Sequence, residues 1–115
     1  FKDGKVILGL SGNPGAAATG LLCVGFPFMR KLSGRSDITF SQATAYLGVE
    51  FKKSSPVTRI LKGHSDFKNG MLYFTPLSNQ HNGSVSSMSD CDLLAVIPAG
   101  SKPLAAGDKL EVYIL

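Results

Sequence analysis

Two kinds of hydrophobic spacing divide the chain near residue 34. Before that point apolar residues run together. Val6, Ile7, Leu8, Gly9 and Leu10 form an unbroken apolar run, and no charged residue occurs between Gly9 and Met29. A short run with no polar position predicts a strand buried on both faces. The following Ser11-Gly12-Asn13-Pro14-Gly15 predicts a turn into a helix, with Asn13 at the N-cap and Pro14 at the first helical position, where its missing N–H costs nothing. That helix is expected to reach about Leu32, with Arg30 and Lys31 in its last turn and Gly34 closing it. Pro27 predicts a kink. Gly20 and Gly25 each cost about 1 kcal/mol of helix propensity, which points to close packing against a neighbour.

Beyond the polar stretch at 33–37 the period becomes two. Ala43, Ala45, Leu47, Val49 and Phe51 alternate with Thr44, Tyr46, Gly48 and Glu50, which predicts a half-buried strand. Further strands are expected over 57–64, 71–75, 93–97 and 110–114, with Asn69-Gly70 as the hairpin turn between the second and third. Five to six short strands with no helix between them predict a small antiparallel barrel or sandwich. The expected fold is therefore mixed: a short α/β remnant over residues 1–34, then a small all-β barrel over 35–115. One such strand and one nearly all-apolar helix need partners, so the first segment is expected to end a larger α/β domain whose body lies upstream.

Composition changes this picture little. The chain has 115 residues, 43% of them hydrophobic and 17% charged, as in ordinary globular domains. The net charge of +4 is spread over scattered basic residues such as Lys52, Lys53, Arg59 and Lys62. A nucleic-acid footprint needs a clustered basic stripe, so no nucleic-acid partner is expected. Cys23 and Cys91 are the two cysteines. They offer neither a disulfide framework nor zinc spacing, and Cys23 lies in an apolar run where buried thiols are common. No signal peptide is evident, and a cytoplasmic location is expected. The uncharged stretch is broken by Gly12, Gly15, Gly20, Gly25, Pro14 and Pro27, which argues for a buried helix and no membrane span.

Chemistry is concentrated in the turn at 11–16. A glycine-containing loop entering a helix exposes unpaired backbone N–H groups at the positive end of the helix dipole, a setting that holds phosphate, molybdate or carboxylate. The same turn also serves as a plain structural cap. His64 and His81 are read as surface residues, and two histidines support neither a catalytic triad nor a metal site. The aspartates Asp37, Asp66, Asp90, Asp92 and Asp108 sit in turn-like surroundings that favour local hydrogen bonds. No metal ligand is assigned in this chain.

The neighbourhood of that turn carries a family likeness. Gly9-Leu10-Ser11-Gly12-Asn13-Pro14 resembles the Gly-Leu-Pro-Gly-Asn-Pro-Val-Ser signature of the molybdopterin molybdenumtransferase family (MoeA and the gephyrin E-domain). The likeness continues in order through Pro27, Arg30-Lys31-Leu32-Ser33-Gly34, then Pro56, Arg59, Lys62 and Gly63. Gln80, Gly83 and Ser86-Ser87-Met88 resemble the family's Gln-x-Ser-Gly loop, and Cys91 to Gly100 and Leu104 to Asp108 its closing strand, turn and strand. The resemblance implies that residues 1–34 end a MogA-like third domain and that 35–115 form the fourth, β-barrel domain.

By the same resemblance, the parent protein would act on adenylated molybdopterin and molybdate as an elongated homodimer, inserting molybdenum and releasing AMP. It would use Mg²⁺, whose ligands are expected upstream of this chain. Gly12, Asn13 and Pro14 would line the anion site, with Lys62 and Gln80 to Asn82 facing the cleft. Departures are visible. Ser11 replaces a Pro, Gly15-Ala16 replaces Val-Ser and so removes a hydroxyl, Lys62 stands where Arg is common, and Asn82 stands for Ser. The alternative is a diverged, non-catalytic barrel used for assembly or partner docking.

Overall fold

A computed structural model describes residues 2–81, 83 and 85–115. Five strands, β1 (Ser41–Leu47), β2 (Arg59–Lys68), β3 (Met71–Pro76), β4 (Leu93–Ile97) and β5 (Lys109–Ile114), close into a barrel in the order β1-β3-β2-β4-β5. Four of the five pairings are antiparallel, and β1 runs parallel to β3 through Tyr46↔Tyr73 and Leu47↔Phe74. The expectation of an all-antiparallel sheet is corrected on that point. A closed ring with an odd number of strands cannot alternate direction all the way round, so one parallel seam is unavoidable.

The inward positions follow the period-two pattern. Ala45, Leu47, Leu61, Phe74, Leu93, Ala95, Ile97, Leu110 and Val112 form the core, with Ala43, Phe51, Leu72 and Leu104 packed at its rim. Strand β4 is apolar throughout because it is covered on both faces: Leu93, Ala95 and Ile97 point inward, while outward-facing Leu94 is also 1% exposed. The Asn69-Gly70 turn forms as expected, with φ of 52° and 76° at its two centre residues, the left-handed pair that suits a two-residue hairpin. The first strand is shorter than the alternation suggested. Pairing ends at Leu47, Val49 is exposed, and Phe51 makes only an isolated bridge to Leu104. The second strand begins later and runs further than the 57–64 expected, to Lys68. A four-residue helix, Ser86–Ser89, also lies between β3 and β4, where none was expected.

The helical segment forms, with a correction to its interior. An α-helix, α1 (Pro14–Gly20), continues through a π-helical turn, Leu21–Gly25, into α2 (Phe26–Leu32). A proline cannot donate to the carbonyl four residues back and crowds it, and the wider turn just before Pro27 relieves that crowding. The helix ends as expected. Gly34, at φ 77°, donates to the Lys31 carbonyl and Arg35 donates to the Arg30 carbonyl. Arg30 also lies 4.9 Å from the Phe40 ring centroid and donates to the Thr39 carbonyl, tying the helix end to the chain that enters β1.

Residues 6–10 do not form the expected strand. They carry no regular secondary structure and no strand partner among the described residues, and Ile7 is 73% exposed. A strand exists only where a neighbour completes its hydrogen bonds, and the described residues offer none. The segment nonetheless packs on the helix. Leu8 and Leu10 approach to 3.3 and 3.4 Å of where a side chain would begin at Gly25 and Gly20. Those two glycines therefore allow the close packing that their cost in a helix suggested.

Candidate functional site

Lys62 sits on the outer face of β2, opposite Leu94 of β4, and is only 3% exposed. Its ammonium donates to Ser87 Oγ at 2.7 Å and to the His81 carbonyl at 3.2 Å. Neither acceptor is a carboxylate, and among the described residues the ion pairs Arg35–Asp37, Lys52–Glu50 and Lys68–Asp66 all lie elsewhere. A cation is thus held in the protein by neutral oxygens, an arrangement that leaves its charge uncompensated.

Gln80 has a different task. Strand β3 ends at Pro76, opposite Gly63, and the next position of β2 needs a new neighbour. The Leu77 N–H donates to the Lys62 carbonyl at 2.9 Å, and the Gln80 side chain completes the pairing. Lys62 N donates to Gln80 Oε1 at 3.0 Å, and Gln80 Nε2 donates to the carbonyls of Lys62 at 2.7 Å and Leu77 at 2.9 Å. Both ends of the amide are occupied within the chain. On the same strand Asp92 performs a similar service past the end of β4. Its carboxylate accepts from Ser65 N and Ser65 Oγ, both at 2.6 Å.

A hollow of about 370 Å³ opens where helix α1 meets this part of the barrel. It is lined by Ala16 and Thr19 from α1 and by Thr58, Arg59, Lys62 and Gln80, among others. No lining residue is acidic. Gly12, Asn13 and Pro14 lie just before it, exposed, and do not line it. Asn13 takes the N-cap backbone position without a side-chain cap bond, and its own N–H donates to Ser11 Oγ at 3.2 Å. Of the residues singled out in the sequence, Lys62 and Gln80 therefore come together, Gly12 to Pro14 stand apart at the helix entrance, and Asn82 lies outside the described residues.

Sequence reasoning passed over Arg59 as a site residue. It is half-buried, lines this hollow and an adjoining one, and rests 5.8 Å from the Phe51 ring centroid. Period-two spacing from inward-facing Leu61 could have placed it on the core side; its position at the strand's first residue instead lets it reach the rim. Cys23 also departs from expectation. It is exposed, at the edge of an apolar gap between the helix and β4. Among the described residues no three His, Cys, Asp or Glu side chains gather to hold a metal ion, and no helix is long and apolar enough to cross a membrane.

Known proteins resemble this arrangement along most of its length. The family model of the MoeA C-terminal region (domain IV) matches residues 44–115. The molybdopterin molybdenumtransferase of Staphylococcus epidermidis is 28% identical over 114 residues, covering 99% of this chain and 27% of the relative. That of Staphylococcus aureus is 26% identical, with the same coverage of each. Among solved structures, the molybdopterin biosynthesis MoeA protein from Pyrococcus horikoshii OT3 superposes with a TM-score of 0.73 at 16% identity, over 91% of this chain and 26% of that one. A molybdenum cofactor biosynthesis protein from Pyrococcus furiosus gives 0.72 at 18% identity, over 91% and 37%. At such identities the likeness shows a shared fold. The chain spans about a quarter of the length of the curated relatives it matches.

Proposed function

This chain belongs to the family of the MoeA C-terminal region, and on that premise we propose that it is part of a protein that inserts molybdenum into adenylated molybdopterin with release of AMP. Its place in molybdenum cofactor biosynthesis follows from the family; the reaction is carried over from relatives named molybdopterin molybdenumtransferase. The observation that carries the reading is the hollow between α1 and β2, lined by the buried Lys62 and by Arg59 and by no acid. Adenylated molybdopterin and molybdate are anions, and a cation held by neutral oxygens in a partly dry hollow attracts an anion far more strongly than a solvated one does.

In this reading residues 1–34 end an α/β domain and 35–115 are the barrel domain, with the substrate lying between them. Gly12, Asn13 and Pro14 present the helix entrance to an oxyanion. Lys62 supplies fixed positive charge, and Gln80 holds β2 and the 77–81 segment in register, so its contribution is positional. Asn82 would face the same cleft by the family resemblance. Mg²⁺ would offset phosphate charge as the adenylate is cleaved. By the family resemblance its ligands would lie in the parent protein upstream of this chain. A cytoplasmic homodimer is the assembly the reading calls for.

The test is genetic and chemical. The full-length parent protein is expected to restore molybdoenzyme activity in a strain lacking the transferase, and Gly12 or Asn13 substitutions are expected to abolish the rescue. The 115-residue chain alone is expected to release no AMP from adenylated molybdopterin. Failure of the full-length protein to rescue would favour the non-catalytic barrel, a reading to which the internal engagement of both ends of the Gln80 amide gives some support.

A further inference from the structure

The tip of the β2–β3 hairpin lies at the opposite end of β2 from Arg59, and it carries chemistry that the substrate reading does not use. We propose that Asn69 is a site of spontaneous modification: Gly70 N attacks its side-chain amide, and the isoaspartate that follows loosens the closure of the barrel between β1 and β3. The inference stands apart from the molybdenum-inserting reading and needs no ligand.

The four asparagines of the chain differ in what their surroundings allow. Asn13 precedes Pro14, whose nitrogen has no hydrogen to give up. The Asn79 side-chain oxygen accepts from His81 N at 3.0 Å, which holds it in a local turn. Its successor, Gln80, also has a side chain that crowds the attacking nitrogen. Asn82 precedes Gly83 in the sequence and lies outside the described residues. Asn69 meets every requirement. It is exposed, its side chain has no hydrogen-bond partner among the described residues, and its successor is glycine. A Cβ added at Gly70 would find no atom within 4 Å, so nothing stands in the way of the approach.

The reaction balances with water alone. Gly70 N bonds to Asn69 Cγ as the Cγ–Nδ2 bond breaks, and ammonia leaves with the Gly70 amide hydrogen. Water then opens the cyclic imide. Addition at Cγ gives aspartate. Addition at the main-chain carbonyl carbon gives isoaspartate, in which that carbon becomes a free carboxylate and Gly70 N stays joined through the former side chain. The backbone is then one carbon longer.

The extra carbon falls beside the weakest join of the barrel. The turn fits Asn69 at φ 52° and Gly70 at φ 76°, and it closes on the pair Lys68↔Met71. Hairpin register is fixed by turn length, so a longer link no longer matches it. Lys68↔Met71 and Phe67↔Leu72 are the first pairs lost, and little packing holds them, since Phe67 is 71% exposed and Met71 38%. The next pair is Asp66↔Tyr73. Tyr73 is one of the two β3 residues in register with β1, through Tyr46↔Tyr73 and Leu47↔Phe74. Fraying by two pairs therefore reaches the parallel seam.

The experiment ages the folded chain and its Asn69→Gly variant side by side in mildly alkaline buffer. Gly-Gly also suits this turn and has no side chain to cyclise, so the variant keeps the hairpin and lacks the reaction. Peptide mapping by mass spectrometry is expected to show NH₂ replaced by OH at Asn69, with isoaspartate identified by fragmentation, and no such change at Asn13 or Asn79. Hydrogen exchange should be faster in the aged than in the fresh parent at Tyr46, Leu72 and Tyr73, and unchanged at Leu61 and Ala95 in the β2–β4 ladder. The aged variant should match the fresh one. An Asn69 that stays intact in the folded chain overturns the proposal, and conversion of the same peptide in urea would show that the fold shields it. Conversion at Asn69 with unchanged exchange at Tyr46 and Tyr73 overturns the link to barrel closure. Equal loosening of the aged Asn69→Gly variant overturns it too, because the cause would then lie elsewhere, at Asn82.

Discussion

The side-chain amide of Gln80 pairs with the backbone of Lys62 as a neighbouring strand would, accepting from its N–H at 3.0 Å and donating to its carbonyl at 2.7 Å. Strand β3 stops one residue short of this position, and the amide extends its ladder. Gln80→Leu therefore leaves the Lys62 N–H unpaired in a part-buried setting, while the Lys62 carbonyl keeps the Leu77 N–H at 2.9 Å. A loss of about 1–3 kcal/mol is expected, the cost of leaving such a group unsatisfied. Urea denaturation would measure it, and hydrogen exchange should show faster exchange at the Lys62 amide than at Leu94 in the facing strand.

Ser87 holds the other end of the same residue. Ser87→Ala removes the hydroxyl 2.7 Å from the Lys62 ammonium and leaves that charge with the His81 carbonyl alone. The single variant is expected to lose about 1–3 kcal/mol. The Lys62→Met/Ser87→Ala double variant should lose less than the sum of the two single changes, since a buried charge that is absent needs no partner. Strictly additive losses in the double-mutant cycle would show that the ammonium gains nothing from Ser87.

Gly63 makes room for the largest buried side chain. A Cβ added there would meet the Phe74 ring and lie 2.7 Å from the Thr75 carbonyl oxygen. The obstruction includes backbone, which cannot rotate away. Gly63→Ala is expected to destabilise the barrel by about 1–3 kcal/mol or more, with Phe74 shifted in the near-ultraviolet dichroism spectrum or in ring-proton resonances. Gly70→Ala, by contrast, adds a methyl into open space and costs through its φ of 76° alone.

Burial pushes the Cys91 thiol up from its ordinary range, and its Sγ donates to the Leu93 carbonyl at 3.2 Å. The folded state thus holds the thiol proton more tightly than the unfolded chain does. The resulting stability is present in full below the ordinary thiol value and is lost as pH rises from there through the folded value. The urea midpoint should be flat toward neutral pH on this account and fall in alkaline solution, and Cys91→Ser should flatten part of that fall. Alkylation of Cys91 by iodoacetamide should be slower in the folded chain than in urea at the same pH.

Much of the barrel was legible from the sequence because its signals are local. Asn69-Gly70 fixes a hairpin through its own backbone preferences, and the continuous Leu93 to Ile97 run announces a strand covered on both faces. The Arg30 to Gly34 ending likewise forms from residues within one turn of each other. The candidate site was read less well. Lys62 and Gln80 were both singled out, but as groups facing a ligand. Neither spacing nor residue type reveals that 18 positions of chain fold back so that the amide pairs with the backbone. Arg59 was passed over for the same reason, since spacing does not show that it reaches the rim of two hollows and lies near the Phe51 ring.

The sequence by itself determined the elements whose hydrogen bonds and packing are settled among near neighbours: the helix and its end, the hairpin, the alternating strands and the family. Tertiary structure alone decided three other things. It set the parallel seam between β1 and β3, because closure of a five-membered ring depends on all strands together. It left residues 6–10 without the strand their apolarity suggested, because a strand is completed by a partner and not by composition. It also buried the Lys62 charge under Ser87 and His81, because which cation is capped depends on contacts between distant parts of the chain.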